Sequence, residues 1–199
     1  DTQFRIEAIR LAPSKSFQVA KRIVDVVISL LALVVLALPT AVIALLIKRE
    51  SEGPVLSKRT VVGKNAQPFD MYSFRTSNNP ALDMIESDQT RVGGFLLTTG
   101  LNIIPQFFNV LLGDMSLVGP RPVRTSSYRI VAHQIPGFIK RLAVRPGMTG
   151  LAQVAGRSLL TARQRLTLDV RYVAHQTVLL DIRILWNTLF VVFVGKGAF

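Results

Sequence analysis

Two short loops in this chain carry arginines in settings suited to gripping phosphate. In Gly119–Pro120–Arg121–Pro122 one guanidinium stands between two residues of fixed φ, which lowers the entropy lost on presenting it to a ligand. Arg145–Pro146–Gly147–Met148–Thr149–Gly150 repeats the device, and Gln153 and Arg157 follow it closely. Arginine holds phosphate oxygens in a planar, two-pronged fashion, so several rigidly mounted Arg side chains suggest a pyrophosphate or nucleotide pocket. Taken singly, Arg121, Arg145 and Arg157 would more often brace loops through backbone carbonyls. Two such loops with a third Arg close by tilt the reading towards binding. Asp114, in a loop beside these arginines, is the best-placed carboxylate, although bracing a turn is the commoner duty of such a residue. Asp169 falls mid-helix, where pairing with Arg165 or another structural contact is expected. Asp83, Glu86 and Asp88 belong to a polar loop whose default is solvation. His133 and His175 are the only histidines and have no Cys or carboxylate at ligand spacing, so a metal site built on them is not expected.

What must position these loops begins with a long apolar run. Residues 26–47 contain no charge, with Lys21 and Arg22 before them and Lys48 and Arg49 after. About 20 apolar residues cross a bilayer core. Basic flanks favour the cytoplasmic side, and here neither end is the less basic. Pro39 lacks an N–H and its ring presses on the carbonyl four residues earlier, so a helix should bend there. A segment that enters, bends near Pro39 and returns to the same face satisfies both observations; a kinked single span is the alternative.

The 199 residues amount to about one domain. A net charge of +12 and a pI near 11.1 call for an anionic partner, and the apolar run weights lipid and lipid-linked phosphate over nucleic acid. Nucleic acid is further disfavoured by three Tyr, one Trp and basic residues spread along the chain. There is no Cys, which excludes disulfides and thiol chemistry and permits a reducing setting. The chain opens without Met, as a fragment or processed chain would, and residues 1–20 lack a signal-peptide layout.

Local signals supply the remaining elements. Residues 1–20 read as a short strand or interfacial segment and a Pro13–Ser14 turn. The apolar helix should run from about residue 16 to Lys48. Residues 55–71 read as two extended stretches about a Gly63–Lys64–Asn65 turn, a hairpin signal. Residues 76–90 read as a mobile loop. A helix should start near Ile104, with Pro105 in its first turn and Gly113 ending it. Helix returns over 159–173. A last amphipathic helix, Val178–Val194, carries Leu179, Ile182, Leu185, Trp186, Leu189 and Phe190 at helical spacing. Trp186 suits a membrane–water interface as well as it suits core packing.

These residues fall into an order that resembles a known family. Residues 19–195 are similar to the bacterial sugar transferases that act as small monotopic phosphoglycosyl transferases. The resemblance rests on Lys21–Arg22–Ile23–Val24–Asp25, the Pro-containing apolar helix, Glu52–Gly53–Pro54–Val55, Val62–Gly63–Lys64–Asn65 and Phe74–Arg75–Thr76. It continues through Thr90–Arg91–Val92–Gly93, Pro105–Gln106, Asn109–Val110 and Gly113–Asp114–Met115–Ser116–Leu117–Val118–Gly119–Pro120–Arg121–Pro122, and closes with Arg145–Pro146–Gly147, Leu168–Asp169–Val170 and Tyr172–Val173. It implies an α+β membrane-associated fold: an N-terminal extension over 1–18, a re-entrant membrane helix over 19–50 broken at Pro39, and a mostly helical cytoplasmic domain over 51–199 with a small hairpin and interfacial helices. It implies transfer of a sugar-1-phosphate from a UDP-sugar to undecaprenyl phosphate on the bacterial inner membrane, in exopolysaccharide, capsule or surface-glycan assembly. An Asp of an Asp–Glu pair would attack the phosphate, with Mg²⁺ offsetting charge. With the family in view, the phosphate- or nucleotide-binding set is Arg75, Asp114, Arg121, Arg145, Gln153 and Arg157.

The resemblance breaks at the reacting atoms. The family's Leu-Asp-Glu-Leu-Pro-Gln is Leu101–Asn102–Ile103–Ile104–Pro105–Gln106 here, so Asn102 and Ile103 hold the dyad positions and no catalytic residue is assigned. The phosphate-gripping Arg five residues earlier is Leu97, the Lys before Phe-Arg-Thr is Ser73, and the Ser before the helix-breaking Pro is Leu38. No Mg²⁺ is therefore expected. The first expectation is a catalytically impaired member or partner subunit that keeps affinity for nucleotide sugar or polyprenyl phosphate, alone or in an oligomer with glycan-assembly proteins. The second is an active transferase using Asp114 or a partner's carboxylate. The third is a lipid-binding assembly protein.

Overall fold

The computed structural model describes residues 14–78, 88–156 and 160–194, with side chains as far as 190. Arg157, Asp83 and Glu86, and the strand or interfacial segment expected before residue 14, lie outside the described residues.

Helix α1 (Lys15–Val35) starts where the Ser14 hydroxyl accepts from the Phe17 N–H at 3.3 Å, a hydroxyl N-cap. Helix α2 (Ala37–Glu50) leaves it at 61°. The break falls at Leu36, three residues before the proline where the sequence reading put it. Pro39 is the third residue of α2; it cannot donate to the Val35 carbonyl, and its ring pushes that carbonyl aside, so the strain is released one turn ahead of the ring. Backbone bonding resumes at once on both sides, Leu36 N–H to Ala32 C=O and Thr40 N–H to Leu36 C=O, each at 2.8 Å. Among the described residues no single helix is long and apolar enough to cross a membrane.

Both ends of this bent pair dock on the same body. At the start of α1, Lys21 bridges to Asp181 at 2.6 Å and Arg22 donates to the Val110 and Leu111 carbonyls at 2.5 and 2.8 Å. Buried Asp25 accepts from the Leu117 N–H at 3.1 Å. By position Lys21 and Arg22 form a basic flank to the apolar run; in the structure their charge goes into protein partners, while Lys48 and Arg49 stay exposed. At the far end, Ile43 and Ile47 share a core with Phe74, Leu96 and Ile104. The Glu50 carboxylate accepts from the Arg91 and Val92 N–H groups at 2.7 and 2.9 Å, an acidic cap on the positive end of the next helix.

The expected hairpin forms: β1 (Leu56–Val62) pairs antiparallel with β2 (Pro68–Phe74), Leu56 opposite Phe74 and Val62 opposite Pro68. Its turn puts Asn65 at φ 55°. Helix α3 (Arg91–Thr99) and, after a 3₁₀ turn at Leu101–Ile103, helix α4 (Gln106–Leu112) follow. The Leu101–Leu112 segment is bent 90° from α3. Pro105 precedes α4 and Gly113, at φ 94°, ends it, as expected. Strand β3 (Ser116–Val118) and strand β4 (Val123–Arg124) come next, and β4 pairs with the free edge of β1. Helix α5 (Thr125–Gln134), a 3₁₀ segment (Phe138–Ala143) and β5 (Gly147–Thr149) lead to α6 (Leu151–Ala155), α7 (Ala162–Ala174) and α8 (Val178–Val194). The fold is mixed and mostly helical.

A second core joins α4, β3, α7 and α8 through Val110, Met115, Leu117, Val118, Tyr172 and Ile184. Fully buried Asn109 replaces a strand at the outer edge of β2, accepting from the Tyr72 N–H at 2.9 Å and donating to the Asp70 carbonyl at 2.7 Å. Helix α8 leaves Leu179, Ile182, Leu189, Phe190 and Trp186 exposed, Trp186 at 72%.

Candidate functional site

The two Arg-bearing loops are brought together by backbone alone. Strand β3 runs parallel to β5, with Ser116 opposite Gly147 and Val118 opposite Thr149. Beyond the strands the loops stay laced: the Gly119 N–H donates to the Thr149 carbonyl at 2.8 Å and the Gly147 N–H to the Pro120 carbonyl at 3.0 Å. The approach leaves no room for side chains. A Cβ on Gly147 would lie 2.0 Å from the Gly119 nitrogen, and one on Gly150 would lie 2.2 Å from the Gly119 oxygen. Gly147→Ala should therefore part the loops and cost about 3 kcal/mol, as overpacking against backbone does. Gly94→Ala, whose added carbon meets only the Gln89 side chain at 3.9 Å, should be neutral or stabilising. Denaturant midpoints of the two variants check this; equal midpoints would refute the interlock.

Arg121 is exposed at the tip of its loop, and Arg59 and Arg165 lie near enough to add to desolvation in lowering its pKa. Its carbonyl is held from beneath by Arg141, which donates at 2.6 Å. Arg141 in turn pairs with Asp169 at 2.8 Å and lies 5.1 Å over the Phe138 ring. The structural contact expected of Asp169 is thus made with Arg141, while Arg165 acts on it at longer range. Burial pushes the Asp169 carboxyl up to about 6 despite both cations.

Arg145 looks the other way. It is exposed beside Lys64 at the hairpin tip, and Lys64 is held below its ordinary pKa by burial and then by Arg145. Lys64 was not singled out from the sequence; a cation on a turn between two extended stretches is the signal that could have found it. Arg121 and Arg145 line separate hollows. One is formed by Val62, Gly63, Pro120, Arg121 and Arg141, the other by Lys64, Arg145 and the first turns of α1.

Asn102 sits on the 3₁₀ turn between α3 and α4, and its Oδ1 is buried with no hydrogen-bond partner among the described residues. Gln153 has both amide atoms buried and without a partner among the described residues, its oxygen lying 2.7 Å from where a Cβ on Gly150 would be. Each such atom forgoes a hydrogen bond to water, a cost that a ligand would offset. Arg75 is 3% exposed, and its fork is spent on the turn after α2: it donates to the Glu52 carbonyl and, at 2.8 Å each, to the Ser51 carbonyl and hydroxyl. Asp114 is half-buried, its N–H bound to the Asn109 carbonyl at 3.1 Å, with no partner for its carboxylate among the described residues. A divalent magnesium ion takes carboxylates and phosphate oxygens. At 102–103 the donor set is one amide oxygen and an alkyl chain, which does not fit that ion. No group of three or more His, Asp or Glu suited to a metal occurs among the described residues.

Residues 16–195 match the profile of a family described as bacterial sugar transferase. An exopolysaccharide production protein PSS of Rhizobium leguminosarum bv. phaseoli is 39% identical over 86% of this chain and 94% of its own length. A UDP-glucose:undecaprenyl-phosphate glucose-1-phosphate transferase of Klebsiella pneumoniae is 35% identical over 91% of this chain and 42% of its own. A UDP-N-acetylgalactosamine-undecaprenyl-phosphate N-acetylgalactosaminephosphotransferase of Aeromonas hydrophila is 34% identical over 94% of this chain and 47% of its own. The chain thus spans less than half the length of the latter two relatives.

Proposed function

Because the chain belongs to the bacterial sugar transferase family, we propose that it binds a UDP-sugar and a polyprenyl phosphate at the inner face of the bacterial inner membrane without turning them over. What supports this is the pair of Arg-bearing loops laced by backbone, together with the neutral amide of Asn102, next to Ile103, at the place where the family resemblance puts the attacking carboxylate. The interlocked glycines keep the phosphate-gripping frame. An amide is not a useful nucleophile, and removing the nucleophile of a covalent mechanism costs on the order of 10⁴–10⁶ in turnover. Its place would be as an impaired member or partner subunit in exopolysaccharide or capsule assembly.

Re-entry of α1–α2 into one leaflet is supported by the docking of both helix ends on one body, which a span delivering its ends to opposite faces would not allow. Exposed Val27, Leu30, Leu31, Val34, Val35 and Leu38 around the bend would then meet lipid. The bend is 61°, and the apolar stretch before it is about ten residues, roughly 15 Å at helical rise. That is about half the hydrocarbon thickness.

Purified protein should bind UDP-sugar yet release no UMP when given UDP-sugar, undecaprenyl phosphate and Mg²⁺. Robust UMP release would reject the reading. It would favour instead a transferase using Asp114, the half-buried carboxylate without a partner among the described residues, and Asp114→Asn would then abolish the rate.

A further inference from the structure

The first turns of α1 close one side of an open cleft lined also by Lys64, Ser116, Val144 and Arg145. Its charge is one-sided. Lys64 and Arg145 face it together, and neither has an ion-pair partner among the described residues. The one carboxylate in the wall, Asp25, is 3% exposed and holds the Leu117 N–H, while Lys21 is matched by Asp181. Two like charges brought together at a half-buried site without an anion repel each other. A phosphate oxygen between them would turn that repulsion into two charge-assisted hydrogen bonds.

An apolar track leads out of the cleft. Phe17, Lys21, Val24, Ile28, Leu31 and Val35 follow one another at intervals of three and four residues, hence along one face of α1. Phe17 and Lys21 line the cleft. Beyond them Val24 is 38% exposed, Ile28 37%, Leu31 59% and Val35 74%, so the face opens past Ile28 towards the bend. A nucleotide has no use for such a stripe, whereas a hydrocarbon chain carrying a terminal phosphate matches both ends of it.

We propose that Lys64 and Arg145 seat the phosphate of a polyprenyl phosphate whose chain lies along the Val24–Ile28–Leu31–Val35 face of α1. This rests on the function proposed above for the class of lipid and adds where that lipid sits, apart from the Arg121 hollow. Farnesyl phosphate, farnesol, inorganic phosphate and UDP would be titrated into detergent-solubilised protein, following Trp186 fluorescence or heat. The Lys64→Gln, Arg145→Gln double variant should lose at least about tenfold in farnesyl phosphate affinity, the loss expected for charge-assisted bonds, with UDP affinity unchanged. Ile28→Asn should weaken farnesyl phosphate but not inorganic phosphate. Lys64→Arg, which keeps the charge, should keep the affinity and separates loss of the seat from loss of the fold. Unchanged farnesyl phosphate binding in the double variant, an equal loss for UDP, or no binding by the unaltered chain would each overturn the assignment. Failure to bind UDP-sugar with the farnesyl phosphate results as expected would instead reject the proposed function and leave this seat standing.

Discussion

Leu97→Arg, Asn102→Asp and Ile103→Glu introduced together should raise UMP release by at least about 10³-fold over the unaltered chain, part of the 10⁴–10⁶ that a missing nucleophile costs. The physical ground is that the frame needs little rebuilding. Asn102 already holds a buried oxygen without a hydrogen-bond partner among the described residues, where the proposed function puts the attacking atom, and aspartate matches its shape. Asn102→Asp alone should do little for the rate and should lower stability, because a carboxylate desolvated without a cation or donor is disfavoured. Ile103→Glu supplies a second ligand for a divalent cation and Leu97→Arg a phosphate grip on the half-buried face of α3. Mg²⁺ should then raise the melting temperature of the triple variant and leave that of the unaltered chain where it is, a linkage effect independent of turnover. A folded triple variant with neither Mg²⁺ stabilisation nor UMP release would mean that residues 97, 102 and 103 do not face one reaction centre.

How far the sequence foretold this arrangement depends on the range of each signal. Helix α8 was legible to the residue because its apolar positions repeat locally, and α4 because Pro105 and Gly113 punctuate it. The hairpin was legible from its turn. Helix α3 was not, because Gly93 and Gly94 weaken any helical pattern. Gly93 is needed for a reason only tertiary structure shows: a Cβ there would lie 2.0 Å from the Thr76 carbonyl oxygen. The β3–β5 pairing was equally hidden. It joins Ser116 to Gly147, and the Pro/Gly stretches on either side read as loops when each is taken alone. The rigid mounting of Arg121 and Arg145 could be read from their prolines. Their separation into two hollows could not, because it depends on how the laced loops turn their side chains outwards. Lys21 and Arg22 show the same limit from another side: as cations next to an apolar run they look like a lipid-facing flank, and only Asp181 and the α4 carbonyls reveal where the charge goes.

The Arg141–Asp169 pair offers a way to separate stability from ligand presentation. Both side chains are nearly buried, at 10% and 4% exposure, so Arg141→Met alone should leave an uncompensated carboxylate and cost about 3–5 kcal/mol. The pH dependence has a definite sign. The folded carboxyl sits at about 6, above its ordinary 3.8, because burial outweighs Arg141 and Arg165. Between those values the folded chain holds a proton that the unfolded chain has released, so the stability contributed by this group falls as pH rises through the window. The fall is about 3 kcal/mol at most, from roughly two pKa units at 1.36 kcal/mol each. The Asp169→Asn chain, neutral at this position at every pH, should lack that slope, so denaturation of the two chains should differ least at the acid end of the window and most at the alkaline end. Equal slopes would place the carboxyl at its ordinary value. Replacing both partners, Arg141→Met with Asp169→Leu, removes two buried charges at once and should restore stability to near that of the unaltered chain. It should not restore ligand binding. The Arg141 donor that fixes the Arg121 carbonyl is gone, the loop regains freedom, and UDP affinity should fall while farnesyl phosphate, seated by Lys64 and Arg145, binds as before. A double variant that binds UDP with undiminished affinity would show that the Arg121 loop holds itself in place without the buried pair.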